Sequence, residues 1–443
     1  MRKDLRACKS AMNNIEDCEE YLLNIPKFKK KTLLSDTLKF YELLGSPGKN
    51  IPKIHVAGTN GKGSTCYYTS RILEAHGLKT GLFTSPHLVS MKERFVFSGE
   101  MITDEEFVAV FEKVKKQCEL FDDEEKITMH PSFFEFLFLM FMEWMDLKKA
   151  DVLVLETGLG GMLDATNIFD DPKVTVITSV GLDHTKELGS TIESIASQKA
   201  GIIKENVPLV TWDNGDAVNF VLKEKAKKKH AEVFMLEEND IQNFVCDEKH
   251  IAFSLNTRYD EFKLVRNLSV SLPTPALYQR INSSLAVMAA ALFLGDKLNC
   301  EKTLSALGEG YFHGRFEEIA RGFFVDGAHN EDAMHKLLES VKTLKGKKVI
   351  IFGACKDKDY VKMLRMIDES GDFDTIILTN IDSERAVDSK TMRECIDEFK
   401  SNVVVTESLR EAIDISKTFD SAVYIAGSLY LVGEAVSIFN NKQ

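Results

Sequence analysis

The sequence predicts an α/β protein of two units. The N-terminal unit, residues 1–298, carries a phosphate loop (P-loop) and a mainly parallel sheet; a smaller C-terminal α/β unit covers residues 299–443. Three observations carry this. Short apolar runs ending in polar, glycine-containing turns alternate with helix-compatible stretches from residue 53 to 229, as in a sheet covered by helices on both faces. The alternation restarts beyond residue 299, which sets the boundary near 298, give or take ten residues. Between the first strand and the helix after it stands Gly58-Thr59-Asn60-Gly61-Lys62-Gly63-Ser64, the pattern of a phosphate-cradling turn.

In chain order, residues 13–45 read as amphipathic helices, with Ile15, Cys18, Tyr21 and Leu22 and then Leu34, Leu38, Tyr41 and Leu44 at helical spacing. Gly45-Ser46-Pro47-Gly48 closes this lead-in. A strand from Lys53 enters the phosphate loop, and a helix runs on to about His76. Lys79–Thr84 is a strand ending at Ser85-Pro86-His87-Leu88. Thr103–Cys118 is a helix opened by a Thr103/Glu106 capping box, and Pro131 starts a phenylalanine-rich helix. Strands follow at Asp151–Glu156, Val174–Val180 and Val207–Trp212, with helices at Thr191–Ala200 and residues 215–229. Residues 232–275 are β-like and irregular, and Asn282–Leu294 is an alanine-rich helix. A helix and the segment Tyr311-Phe312-His313-Gly314-Arg315-Phe316 lead into the second unit. Its strands are expected at Phe323–Val325, Lys348–Phe352, Thr375–Leu378, Val403–Thr406 and Ala422–Ile425.

Composition narrows the class. A chain of 443 residues with 44% hydrophobic and 28% charged residues has the make-up of a soluble enzyme of two or three domains. Its net charge of −12 argues against a general nucleic-acid binder, which needs a basic face. The eight cysteines are scattered without a Cys-x-x-Cys pair, so neither a zinc knuckle nor a disulfide framework is signalled, and a cytoplasmic location is expected. Met1-Arg2-Lys3-Asp4-Leu5 has no apolar export segment. The most apolar stretch, Phe133–Met145, is short and interrupted by Glu135 and Glu143, so it reads as a core helix and no membrane partner is expected.

The phosphate loop is the chemical centre, and it reads as an ATP site. Gly58, Gly61 and Gly63 let backbone N–H groups approach an anion, Lys62 offers a mobile charge to the phosphates, and Ser64 or Thr65 supplies a hydroxyl. The spacing departs from the common pattern: two residues separate Gly58 from Gly61, and Gly63 rather than Ser or Thr follows Lys62. Ser85, Glu156 and His184 each follow a separate strand, and a hydroxyl, a carboxylate and an imidazole suit Mg²⁺ or Mn²⁺ beside phosphates. Each has an ordinary reading too, as turn, loop or capping residue. Gly158-Leu159-Gly160-Gly161-Met162-Leu163 imitates a dinucleotide fingerprint but lacks its third Gly or Ala, so an NAD site is rejected. Lys199, fifteen residues beyond His184, reads on residue grounds as a solvated helical lysine with Gly201 as C-cap. Asp326 follows a strand of the second unit. Arg315, at the presumed hinge, reads equally as a phosphate ligand on domain closure or as an interdomain ion pair.

These segments, in order, resemble a known family. Gly58–Ser64, Thr84–Leu88, Glu93-Arg94-Phe95, Gly158–Gly161 with Leu163–Asn167, Gly181-Leu182-Asp183-His184-Thr185, Lys199–Lys204 and Asp326-Gly327-Ala328-His329-Asn330 are similar to the motif series of folylpolyglutamate and dihydrofolate synthases, within the Mur ligase superfamily. The resemblance spans residues 54–433. It implies an N-terminal ATPase domain, a Rossmann-like C-terminal domain and an active site between them. It implies that Thr59, Asn60, Gly61, Lys62, Gly63 and Ser64 bind the triphosphate, with Asn282, Arg315 and Asp326 as further ATP contacts. Ser85, Glu156 and His184 carry over as Mg²⁺ ligands, with two metal sites expected, and Lys62, His184, Lys199 and Arg315 as catalytic residues. Lys199 matches a lysine carbamoylated in relatives, and Asp164 and Ala165 lie near the pterin. The implied reaction is ATP-dependent addition of L-glutamate to a folate or dihydropteroate carboxylate through an acyl phosphate, by a monomer. The chain departs from the motifs at Met162, where Arg is frequent, Gln198 where Glu is usual, His313 where Pro is common, and Glu331 where Pro is common. A peptidoglycan Mur ligase is disfavoured because the loop begins at Gly58, too early for a preceding nucleotide-sugar domain. A slowly hydrolysing nucleotide switch is the reading from another class.

Overall fold

The computed structural model describes residues 14–25, 34–123, 130–310, 312–396 and 398–440. The first unit is built on strands β1 (Lys53–Ala57), β2 (Thr80–Phe83), β3 (Phe95–Phe97), β4 (Glu100–Met101), β5 (Val152–Glu156), β6 (Val174–Ile177), β7 (Leu209–Trp212) and β8 (Val233–Leu236). They form one sheet in the order β4-β3-β2-β5-β1-β6-β7-β8. From β2 to β8 every pairing is parallel; β3 and β4 add an antiparallel edge. β1, β2, β5 and β6 are buried along their whole length, which is why they read as continuous apolar runs rather than alternating ones. Val152 and Val154 point into one core while Leu153 and Leu155 point into the opposite one.

The first helices are α1 (Ile15–Asn24), α2 (Leu34–Leu43), α3 (Lys62–Ala75), α4 (Asp104–Asp123) and α5 (Phe133–Lys148). Then come α6 (Thr185–Leu188), α7 (Ile192–Lys199), α8 (Asp216–Lys228), α9 (Gln279–Leu294) and α10 (Cys300–Gly308). The lead-in helices α1 and α2 form as expected on either side of 26–33, which lie outside the described residues. The Thr103/Glu106 box is present, each side chain bonding the other residue's N–H at 3.2–3.3 Å. α5 is buried almost all round, which explains its unpatterned phenylalanines, and its Glu143 is paired with Lys113. α3 packs along α9 on one face of the sheet; the small Ala286, Ala289 and Ala290 allow that close approach.

The irregular region 232–275 resolves into β8, at the sheet edge, and a separate antiparallel sheet of β9 (Ile241–Cys246), β10 (Ile251–Leu255) and β11 (Leu268–Leu272). α10 packs on α3 and β11, with the first unit. We therefore propose that the units join within residues 309–314, just beyond the ten-residue margin around 298. The second unit is a six-stranded sheet of β12 (Arg315–Ala320), β13 (Phe323–Asp326), β14 (Lys348–Phe352), β15 (Thr375–Leu378), β16 (Asn402–Val405) and β17 (Ala422–Ala426), in the order β12-β13-β17-β14-β15-β16. All pairings are parallel except β12–β13. Ile350 and Phe352 face one core, Val349 and Ile351 the other, so helices cover both sides.

Candidate active site

Four adjacent parallel strands, β2, β5, β1 and β6, end at one edge of the first sheet. Chain direction alone therefore brings together the turn after β1, Ser85 after β2, Glu156 closing β5 and the segment 178–184 after β6. β6 ends sooner than its apolar run suggested because Thr178 and Ser179 turn to hold the phosphate loop. Thr178 Oγ1 donates to the Asn60 carbonyl at 2.7 Å, Ser179 Oγ to the same carbonyl at 3.1 Å, and Thr59 N–H to the Ser179 carbonyl at 2.6 Å. Gly61 caps α3 with φ of 86°, a left-handed conformation in which a side chain would also collide with the Asn282 amide. The loop thus presents the N-terminus of a 14-residue helix to an anion.

Lys62 folds back to donate to the Thr59 carbonyl at 3.1 Å, and its charge acts on Glu156, His184 and Lys199 alike. Ser64 Oγ accepts from the Gln279 amide at 3.2 Å, and Asn282 donates to the Gln279 carbonyl oxygen at 2.9 Å, so α9 buttresses the loop. Glu156 is buried and accepts the Ser85 N–H at 2.9 Å. Burial pushes its carboxyl above the usual range, against the pull of Lys62, the Ser85 N–H, Arg315 and Arg94. His184 opens α6 in a left-handed conformation, φ 48°, and is exposed at the site's rim. Among the described residues no three His, Cys, Asp or Glu side chains gather as a ready ion cage. The expected ligand set holds only two such groups plus a hydroxyl, so a cation here would complete its shell with phosphate oxygens and water. That donor chemistry fits Mg²⁺.

Lys199 is not a solvated lysine. It is buried, with Nζ donating to the Gly58 carbonyl at 2.7 Å, and burial together with Lys62 brings its pKa down to about 7. Asp164 also turns inward. One oxygen accepts the Leu159 N–H at 2.8 Å, and the other accepts the Thr166 N–H at 3.0 Å and hydroxyl at 2.5 Å. It shapes the turn 159–167, with Ala165 buried beside it, and both its oxygens are engaged within that turn.

The second unit closes on this edge. Asp326 is buried and accepts from the Tyr278 hydroxyl at 2.5 Å and the Phe316 N–H at 3.0 Å. Arg315 Nη1 donates to the Gly314 carbonyl at 3.0 Å, with its guanidinium 5.9 Å from the Phe312 ring centre. Tyr311 lies outside the described residues. Sequence reasoning missed the contacts that join the two units. Asn330 exchanges amide bonds with Asn60 at 3.1 and 3.2 Å and donates to Asp183 at 3.0 Å, while Lys358 pairs with Asp183. Burial opposes ionisation of Asp183, but Lys358, His184 and His329 together hold its carboxyl well below the usual range. Lys358 follows β14, and the rule that ligand groups gather beyond carboxyl ends of strands was the available signal for it.

Comparison with known proteins agrees with this geometry. Residues 56–291 match the Mur ligase middle domain and residues 314–429 the Mur ligase glutamate ligase domain. The chain is 32% identical over 435 residues to the dihydrofolate synthase/folylpolyglutamate synthase of Bacillus subtilis, covering 95% of this chain and 97% of that one. It superposes on the Mycobacterium tuberculosis folylpolyglutamate synthase complexed with ADP and AMPPCP at a TM-score of 0.86 and 27% identity, covering 96% of this chain and 98% of the other. An FPGS–AMPPCP–folate complex gives 0.83, also at 27% identity and with the same coverage.

Proposed function

Since the chain belongs to the Mur ligase family, with folylpolyglutamate and dihydrofolate synthases as its relatives, we infer that the edge where the two units meet is the site of ATP-dependent glutamate ligation. The enzyme adds L-glutamate to a carboxylate of a folate-type acceptor and releases ADP and phosphate. The observation that carries this reading is the convergence of the phosphate loop, Glu156, Ser85 and Asp183 from the first unit with Asn330 and Lys358 from the second.

The γ-phosphoryl group passes to the acceptor carboxylate, giving an acyl phosphate and ADP. The amine of glutamate then attacks the carbonyl carbon, the bond to phosphate breaks, and the amide forms as the amine gives its proton to solvent. No enzyme nucleophile is required, and the chain's part is positioning and charge neutralisation. Thr59–Ser64 cradle the triphosphate, with Asn282, Arg315 and Asp326 bordering it. Lys62 neutralises charge on the transferred group. Ser85, Glu156 and His184 would hold Mg²⁺, which when bound offsets phosphate charge. Asp164 and Ala165 shape the turn that faces the pterin. We read the enzyme as a monomer of the cytoplasm; no helix among the described residues is long and apolar enough to cross a membrane.

Lys199 fits the role of a carbamate. The ammonium first gives a proton to solvent; the neutral amine then attacks CO₂, the N–C bond forms and a second proton leaves, so a cation becomes an anion beside the phosphate loop. That step needs a neutral amine, and the pKa of about 7 supplies one at neutral pH. A ¹³C carbamate resonance should appear in the wild type with labelled bicarbonate, grow as pH rises through 7 and vanish in Lys199→Ala. That variant should be nearly inactive and partly rescued by acetate; full activity without additive would end the idea.

The overall reading is tested by ADP formation. It should require both the folate-type acceptor and L-glutamate; equal turnover without glutamate would favour a nucleotide switch, and AMP as product would exclude this ligase chemistry. Running dihydropteroate and folate separately assigns the acceptor.

A further inference from the structure

We propose that Arg385 binds the side-chain carboxylate of the incoming amino acid and so selects a dicarboxylic substrate. This rests on the ligase reading above. Arg385 lies in the turn after β15, in the segment matching a glutamate ligase domain. Its Nη2 donates to Asp357 at 2.7 Å, and its Nη1 lies 3.4 Å from the Tyr430 hydroxyl. The backbone around it is pinned as well. Its carbonyl accepts the Lys356 N–H at 2.8 Å, and its own N–H donates to Ser383 Oγ at 3.2 Å. The guanidinium is therefore held in place while its side chain stays 52% exposed.

Both supports lead back to the reaction centre. Asp357 precedes Lys358, whose ammonium reaches Asp183 next to His184. Tyr430 lies in the first turn of the helix Leu429–Asn440, whose Gly433 packs so closely on the Leu88 backbone that a Cβ would collide with it. That loop joins Ser85 to Arg94, and Arg94 lies within electrostatic reach of both Tyr430 and Glu156. Arg385 thus contacts the chain neighbour of Lys358, the residue of the second unit that reaches Asp183.

For the ligation glutamate places its amine at the acyl phosphate, near Asp183 and the phosphate loop, and in this proposal its side-chain carboxylate extends past Lys358 to Arg385. A guanidinium has five N–H donors, and the two contacts here leave donor capacity for a carboxylate. Asp357 and Tyr430 fix the fork without consuming it.

Steady-state kinetics of the full-length enzyme test the assignment. Arg385→Ala should raise KM for L-glutamate roughly 10- to 100-fold, the range for a lost hydrogen bond to a charged group. KM for ATP and for the acceptor should not move. The kcat/KM ratio of L-glutamate over L-glutamine should fall by a similar factor, because glutamine keeps the amine end and lacks the distal charge. Arg385→Lys should fall between, and it decides the matter if the alanine variant does not accumulate; Tyr430→Phe should shift KM the same way, by less. An unchanged KM for glutamate, equal losses for glutamate and glutamine, or a rise confined to KM for polyglutamylated acceptors would overturn the proposal. A wild type that makes no ADP in response to glutamate would instead bring down the ligase reading itself.

Discussion

Lys62 is the charge that the other site groups feel: it favours the ionised form of Glu156 and disfavours protonation of His184 and Lys199. It bonds only a loop carbonyl among its described contacts and packs in no core. Lys62→Ala should therefore lower kcat at least ~100-fold, the scale of losing one preorganised charge contact. Its melting temperature should stay close to wild type, and near wild-type kcat would reduce the loop to a structural turn. His55 makes the opposite kind of prediction. Buried in β1, it hydrogen-bonds Thr166 Oγ1 at 2.8 Å, and burial, reinforced by Lys204, depresses its pKa to about 3. The unfolded chain takes up this proton near pH 6.5 and the folded one does not. The stability from neutral His55 is thus complete above pH 6.5 and is lost as pH falls from there toward 3. Urea midpoints measured across that window should drop on acidification, and His55→Gln, which keeps a donor at similar reach, should flatten the slope. At this scale the sequence was legible for phosphate-loop residues, whose types suit only a few tasks. It was not legible for Lys199, because a lysine in a polar helix carries no mark of burial; only the fold puts it under Gly58.

Among the elements, long parallel strands were the easiest to read, since burial on both faces writes an unbroken apolar run. The antiparallel edges β3, β4 and β12 were missed. They are two to six residues long, half-exposed in part, and without a pattern of their own. Helix starts slipped for a related reason: α9 begins at Gln279, three residues before the apolar run, because polar Gln279 and Asn282 turn inward to the phosphate loop. The β1–α3 turn itself yields a prediction. Gly58, at φ 157°, leaves no room for a side chain beside the Thr178 hydroxyl that holds the loop, and Gly61 is left-handed. Gly61→Ala should weaken ATP affinity more than it lowers the melting temperature, because the strain falls on the loop and not on the core. Nucleotide titration by calorimetry checks this; unchanged affinity would show that the left-handed turn is dispensable.

For the whole molecule, the decisive contacts lie between units that the sequence could place but not dock. Tyr278 with Asp326, Asn60 with Asn330, and Asp183 with Lys358 all cross the join at separations of 48, 270 and 175 residues, and no local periodicity encodes such partners. Arg315 stands at that join and shows what closure has left to do. The Phe312 ring beneath its guanidinium lies against Gly63, where an added Cβ would approach it to 2.7 Å. The guanidinium is thus parked beside the phosphate loop on a carbonyl of its own turn, and among the described residues it forms no ion pair with a carboxylate across the domains. A side-chain rotation toward the γ-phosphate replaces a neutral acceptor with an anionic one, a gain realised only when nucleotide and both units are in place. Arg315→Ala should then lower the single-turnover rate of acyl phosphate formation roughly 100-fold or more while changing ATP affinity by only a few-fold. Rapid-quench measurement of ADP formation, set beside equilibrium nucleotide binding, separates the two effects. An unchanged single-turnover rate would leave Arg315 as a packing residue of the hinge, and equal losses in rate and affinity would mean that it already grips ATP before the units close.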